Sequence, residues 1–90
     1  MWELVRQKAR CQGSEEGHGK VASINACASM CNQITSMFIF GTNDFGKDEC
    51  DGGNCDCFCE SDAADDGTCQ QIADKGFRLY RFKKFGTCSL

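Results

Sequence analysis

Proline is absent from this 90-residue chain, so Gly, Asn and Asp have to make every reversal of direction. No stretch approaches the roughly 20 apolar residues of a membrane-spanning helix. The opening Met1-Trp2-Glu3-Leu4 lacks the apolar run of a secretory leader. A mature form, or a domain taken from a larger precursor, is therefore expected. No Asn-x-Ser/Thr sequon occurs. His18 is the only histidine and sits between two glycines, which reads as a solvated loop position. Nucleophilic catalysis by Cys or Ser normally needs such a base at hand. No carboxylate pair has the apolar flanks that raise one pKa for acid catalysis, and the glycines form no phosphate-binding pattern. These absences argue against an enzyme.

What is abundant is cysteine. Nine cysteines in 90 residues mark a disulfide scaffold. A single domain spanning residues 1–90 is expected, too small to rest on its apolar core alone. The cytosol keeps such thiols reduced, so the expected location is secreted or extracellular. Each bridge in a small secreted domain is typically worth about 2–5 kcal/mol. An odd count leaves one thiol over. Cys88, near the C-terminus and beyond the last patterned segment, is the candidate for a free thiol or for a disulfide-linked dimer.

Along the chain, Trp2 to Gln12 reads as a strand, with Arg6, Lys8 and Arg10 at period two. Gly13 to Lys20 reads as a loop. Ser23 is a good helix N-cap, and Ile24, Cys27, Cys31 and Ile34 then share one helical face. Ser36 to Phe40 is a short apolar run of the kind that makes a buried strand, ended by Gly41. Gly41 to Gly53 reads as a loop. In Asn54 to Glu60, Cys55, Cys57 and Cys59 alternate with Asp56 and Phe58, so a strand would carry all three cysteines on one face. Ser61 to Thr68 is an acidic turn. Cys69 to Lys75 is ambiguous, with one helical turn as an option, and Phe77 to Phe82 is a last strand running towards Phe85. The expected order is β-α-β-β-β, an α+β class.

If the helix crosses the cysteine face of the sheet, Cys27 and Cys31 pair with two of Cys55, Cys57 and Cys59, in a combination left open. Cys11 with Cys69, and Cys50 with the third strand cysteine, complete a four-bridge scheme. The Cys-x-Cys-x-Cys strand is also a soft-metal ligand pattern, but the Cys-x2–4-Cys knuckles of zinc sites are missing. Bridges are the preferred reading, with no metal and no cofactor. Asp44, Asp48, Asp51, Asp62, Asp65 and Asp66 do not follow the spacing of an EF-hand loop and read as a solvated acidic surface.

The helical Cys27-Ala28-x-x-Cys31, the aromatic strand Met37-Phe38-Ile39-Phe40-Gly41, the cysteine strand and the closing Arg78-Leu79-Tyr80 resemble the PAN/apple superfamily. The likeness covers Trp2 to Phe82 and is greatest to the divergent single-domain forms of invertebrate extracellular proteins. It implies one helix packed across a small curved antiparallel sheet, stapled by helix-to-strand disulfides. It also implies no catalytic residues, and recognition of proteins or carbohydrates.

Charge supplies the expected binding surface. Asp44 to Asp74 holds ten acidic residues and one basic one, whereas Lys75 to Lys84 holds five basic residues and no acid. If the first and last strands are neighbours, as the resemblance implies, Arg6, Lys8, Arg10, Arg78, Arg81 and Lys83 gather into a basic stripe, with Tyr80 and Phe82 adding ring contact. Such a stripe suits a sulfated or otherwise acidic glycan, or an acidic protein surface. The acidic half argues against nucleic acid. A secreted effector (toxin or diffusible pheromone) and a matrix or adhesive protein are the other function classes compatible with a small, cysteine-rich chain.

Overall fold

The computed structural model describes residues 2–42 and 55–83. Six elements follow in order: β1 (Trp2–Cys11), β2 (Glu15–Val21), α1 (Ile24–Cys31), β3 (Met37–Gly41), β4 (Cys55–Glu60) and β5 (Gln71–Phe82). The strands form one antiparallel sheet in the order β1-β5-β3-β4-β2. The helix packs on β2, β3 and β4. The fold is thus α+β and disulfide-stapled, as expected.

The helix begins where its N-cap predicts. Ser23 is extended, and its hydroxyl accepts from the Ala26 N–H at 3.1 Å. It ends sooner than the periodicity suggests. Ile34 and Thr35 both donate their N–H groups to the Cys31 carbonyl, which turns the chain out of the helix. β-branched residues are stiff at χ1 and favour such an exit. Ile34, expected on the buried face, is consequently 49% exposed.

The expected loop Gly13–Lys20 is largely an edge strand. β2 pairs with β4 through Glu15↔Glu60, Glu16↔Cys59 and Gly17↔Phe58. Its polar, glycine-rich sequence conceals this, because an edge strand with one wet side needs no apolar alternation. Gly17 has a packing reason: a Cβ there would lie 2.9 Å from the Phe58 ring. His18 therefore stands on a strand, with Nε2 3.0 Å from the Glu16 carboxylate and a quarter of its side chain exposed. The ambiguous Cys69–Lys75 segment resolves without a helical turn, since β5 runs unbroken from Gln71 to Phe82. In its middle, Gly76 meets the Thr42 carbonyl so closely that a side chain has no room, and Thr42 N–H donates to Gly76 O.

Three bridges are described: Cys27–Cys57, Cys31–Cys59 and Cys11–Cys69. Cys55, the third strand cysteine, is disulfide-bonded as well. Its expected partner Cys50 lies outside the described residues, as does Cys88. The helix-to-strand pairing has a geometric reason. Four helical residues rise about 6 Å, and two strand residues advance about 6.6 Å. Cys27 and Cys31 therefore match the adjacent same-face cysteines Cys57 and Cys59. Choosing Cys55 and Cys59 would double the strand spacing.

β3 divides the core. Met37, Phe38 and Ile39 are all fully buried. Phe38 belongs to the helix side, with Tyr80, Val21 and the paired cysteines. Met37 and Ile39 belong to the other side, with Ala9, Cys11, Phe77 and Leu79. On the helix side Phe38 stacks on Tyr80 at 5.1 Å, and Trp2 meets both rings edge-on.

Candidate functional site

β1 and β5 are neighbours, so the two strands that carry the charges do lie side by side. Two features change what they present. Register shifts between Leu4 and Arg6 and between Gln7 and Ala9 interrupt the alternation of β1. At the second shift Lys8 is held at φ 56°, a left-handed conformation that a lysine seldom adopts. The shifts break the period-two pattern on which a single stripe depends.

The second feature is neutralisation. Arg10 reaches Asp74 at 3.1 Å and Glu15 at 3.7 Å. Arg81 Nε donates to Glu3 at 2.7 Å, and Lys83 lies 3.9 Å from the same carboxyl. The hydrogen bond from Arg81 is the main cause that holds the Glu3 carboxyl below its ordinary range, with the charges of Arg81 and Lys83 adding to it. Arg6 leans on Gln71 at 3.5 Å, and Arg78 lies opposite Gln7. Tyr80, expected to offer its ring to a ligand, is buried against Phe38 and Trp2; its ring serves the core instead. The edge that reads as basic in sequence is therefore laced with carboxylates.

A different part of the surface is concave. Trp2 and Phe82 are opposed in register at the joined ends of β1 and β5, and both pack only partly into the core. With Asn25, Ala28, Ser29 and Asn32 they enclose a depression of about 240 Å³. A second depression, of about 500 Å³, shares Asn32 and Phe82 and runs on to Gln33, Ser61 and Asp65. The two form a trough along the exit of the helix. Its walls follow from local sequence. Asn25, Ser29 and Asn32 recur at i, i+4 and i+7, which is one helical face, and the other face is committed to Cys27 and Cys31. The hydroxyls of Thr35 and Ser36 are taken by the carbonyls of Met37 and Ala64. The amides of Asn25 and Asn32 line the depression. Each offers two donors and an acceptor.

Sequence reasoning missed this trough. It read the helix only for its cysteine face, and Trp2 only as the start of a strand. The Asn25/Ser29/Asn32 spacing was the available signal. That Trp2 and Phe82 stand beside it depends on the pairing of the first strand with the last, which local pattern does not encode.

The sulfur atoms of Cys27, Cys31 and Cys57 lie within 4.8 Å of one another. The soft-metal pattern raised from the sequence is a different set, the strand Cys55-x-Cys57-x-Cys59, of which only Cys57 belongs to this cluster. The cluster is the meeting of two bridges, with Cys31 Sγ and Cys57 Sγ 4.0 Å apart, and a sulfur in a disulfide offers no thiolate to a metal. No helix among the described residues is long and apolar enough to cross a membrane. Comparison of the chain with protein-family models, with curated proteins and with solved structures finds no match.

Proposed function

We propose that this chain is a non-catalytic, extracellular recognition domain that binds a neutral glycan in the trough between Trp2, Phe82 and the Asn25–Ser29–Asn32 face of the helix. The observation that carries this reading is the pairing of two part-exposed aromatic rings with a row of uncharged amide and hydroxyl groups. Sugar rings present C–H faces that rest on aromatic carbon, and hydroxyls that both donate and accept. Asn and Ser answer those hydroxyls in kind. No lysine or arginine lines either depression, so a sulfated ligand would find no counter-charge there. The extracellular assignment is supported by the density of bridges, which persist in oxidising compartments. The PAN/apple resemblance is part of the same proposal, since recognition of carbohydrate or protein is what it implies.

A protein ligand on the β1–β5 edge is the second reading, favoured by one observation: Lys8 stands exposed on a strained bulge. One experiment separates the two. Trp2 is the only tryptophan, so its fluorescence reports directly on the trough. Titration of the oxidised domain with neutral and sulfated oligosaccharides is expected to change Trp2 emission with the neutral set. Asn32→Ala should weaken binding roughly tenfold, as expected when a hydrogen-bonding partner is lost from a ligand site. Binding confined to sulfated glycans, weakened by salt and by Arg6→Ala with Arg81→Ala, would move the site to the basic edge.

A further inference from the structure

Glu60 is fully buried. It ends β4 directly opposite Glu15, the first residue of β2. One oxygen is satisfied: Cys11 N–H donates to Glu60 Oε2 at 2.7 Å. The other, Oε1, is buried with no donor, and so is Glu15 Oε2. Two carboxyls thus share one site, each with a buried oxygen lacking a donor. A proton on one of them gives both a partner, and without it two negative charges face each other where Glu60 is fully buried and Glu15 is only 18% exposed.

The surrounding charges leave this conclusion standing. From β1, Arg10 lies 3.7 Å from Glu15 Oε2, but its stronger contact is with Asp74 of β5 at 3.1 Å. One cation therefore faces three carboxylates. In the turn after β4, Asp62 is occupied by the Ser14 N–H at 2.8 Å. Burial is the largest influence on Glu60 and raises its pKa to about 8. The Cys11 N–H and Arg10 pull it down, and the charge and hydrogen bond of Glu15 push it up.

The position of the pair gives it a role. β1 and β2 are the two outer strands of the sheet, yet at this corner they meet. Cys11 of β1 binds Glu60, Glu15 of β2 opposes it, and Ser61 N–H donates to Ser14 O across the turn. We propose that Glu60 carries a proton in the folded domain and donates it to Glu15, forming a pH-released latch that holds the two edge strands together. When that proton passes to solvent, a buried carboxylate faces a part-buried one and the corner opens at residues 12–15 and 60–63. The folded chain holds the proton more tightly than the unfolded one. The latch's contribution to stability is therefore full below about pH 4.5, the ordinary value for Glu, and is lost as pH rises through about 8.

The test uses the full oxidised chain. Amide exchange is followed from pH 5 to pH 9 and corrected for the intrinsic rate. Exchange at Cys11 and Ser61 is expected to accelerate at least about tenfold relative to Ile39, the change that one unit of differential proton affinity produces. Glu60→Gln keeps the shape and replaces the proton by an amide donor, so it should abolish the acceleration; Glu15→Gln should do the same. The Glu60 carboxyl carbon, followed by NMR in the unaltered chain, should titrate near 8. This reading is independent of whether either variant folds. An ordinary midpoint near 4.5 would overturn the latch. So would stabilisation of the unaltered chain by Ca²⁺ that Glu60→Gln loses, since the pair would then be a cation site.

Discussion

On the helix side of the sheet, Cys27 and Cys31 are tied to Cys57 and Cys59, and Phe38, Tyr80 and Trp2 stack beneath them. On the opposite side no helix lies among the described residues. Met37, Ile39, Phe77 and Leu79 are covered by the ends of the strands and by the turn that carries Ala63 and Cys69. That side closes at a corner held by one bridge, Cys11–Cys69, and by the buried Glu15–Glu60 pair. The helix side relies on covalent bonds and ring packing, neither of which titrates. The corner relies partly on a proton, so solvent conditions act there first. Stability need not be uniform across even a small domain.

Bridge removal tests this contrast with the largest expected effect. Cys27–Cys57 and Cys31–Cys59 span 30 and 28 residues and lie side by side, so each closes almost the same loop. Replacing one pair by serine should cost little, because the other still holds the helix. Replacing both should cost at least the 2–5 kcal/mol usual for a native bridge and unfold the domain at 37 °C. Cys11–Cys69 closes a loop of 58 residues and has no such neighbour among the described bridges. Its loss should exceed that of either helix bridge alone. Thermal unfolding of the three variants orders them, and equal losses for all three would refute the redundancy.

A side-chain truncation comes next in size. Phe38 is fully buried and contacts Trp2, Tyr80 and Phe82. Phe38→Ala should cost about 3–5 kcal/mol in denaturant unfolding even with all bridges intact. It should also redden Trp2 emission as that ring gains water. If emission is unchanged, the stack does not hold Trp2 at the trough. The smallest effect is expected at the helix N-cap. Ser23→Ala removes the acceptor for Ala26 N–H and should cost about 1 kcal/mol. It should leave exchange at Cys11 and Ser61 untouched, because the helix and the corner are separate supports.

Much of this could be read from the residues alone. Serine before an amphipathic run announces the helix at Ile24, and Cys27/Cys31 against three alternating cysteines announces helix-to-strand bridges. An apolar run with β-branched and aromatic side chains announces β3. Such patterns are local, and period 3.6 or period 2 is sufficient to reveal them. The misread segments are those in which pairing overrides pattern. β2 is polar and glycine-rich, and it is a strand because β4 offers it hydrogen bonds and because Gly17 clears the Phe58 ring. The basic residues of β1 appear as one stripe until two register shifts and the carboxylates of Glu3, Glu15 and Asp74 are in place.

Cysteine density, N-cap and periodicity thus determined the class of the domain and the kind of bond that holds it. Matching a helical rise to a strand advance requires adjacent strand cysteines, and tertiary structure alone decided that the helix takes Cys57 and Cys59 and not Cys55 and Cys57. It also decided where a ligand has room and which carboxyl loses its water. Those outcomes depend on distances between segments far apart in sequence, such as Trp2 from Phe82 and Glu15 from Glu60. Burial and the electrostatic neighbourhood of a side chain come into existence only when the sheet closes.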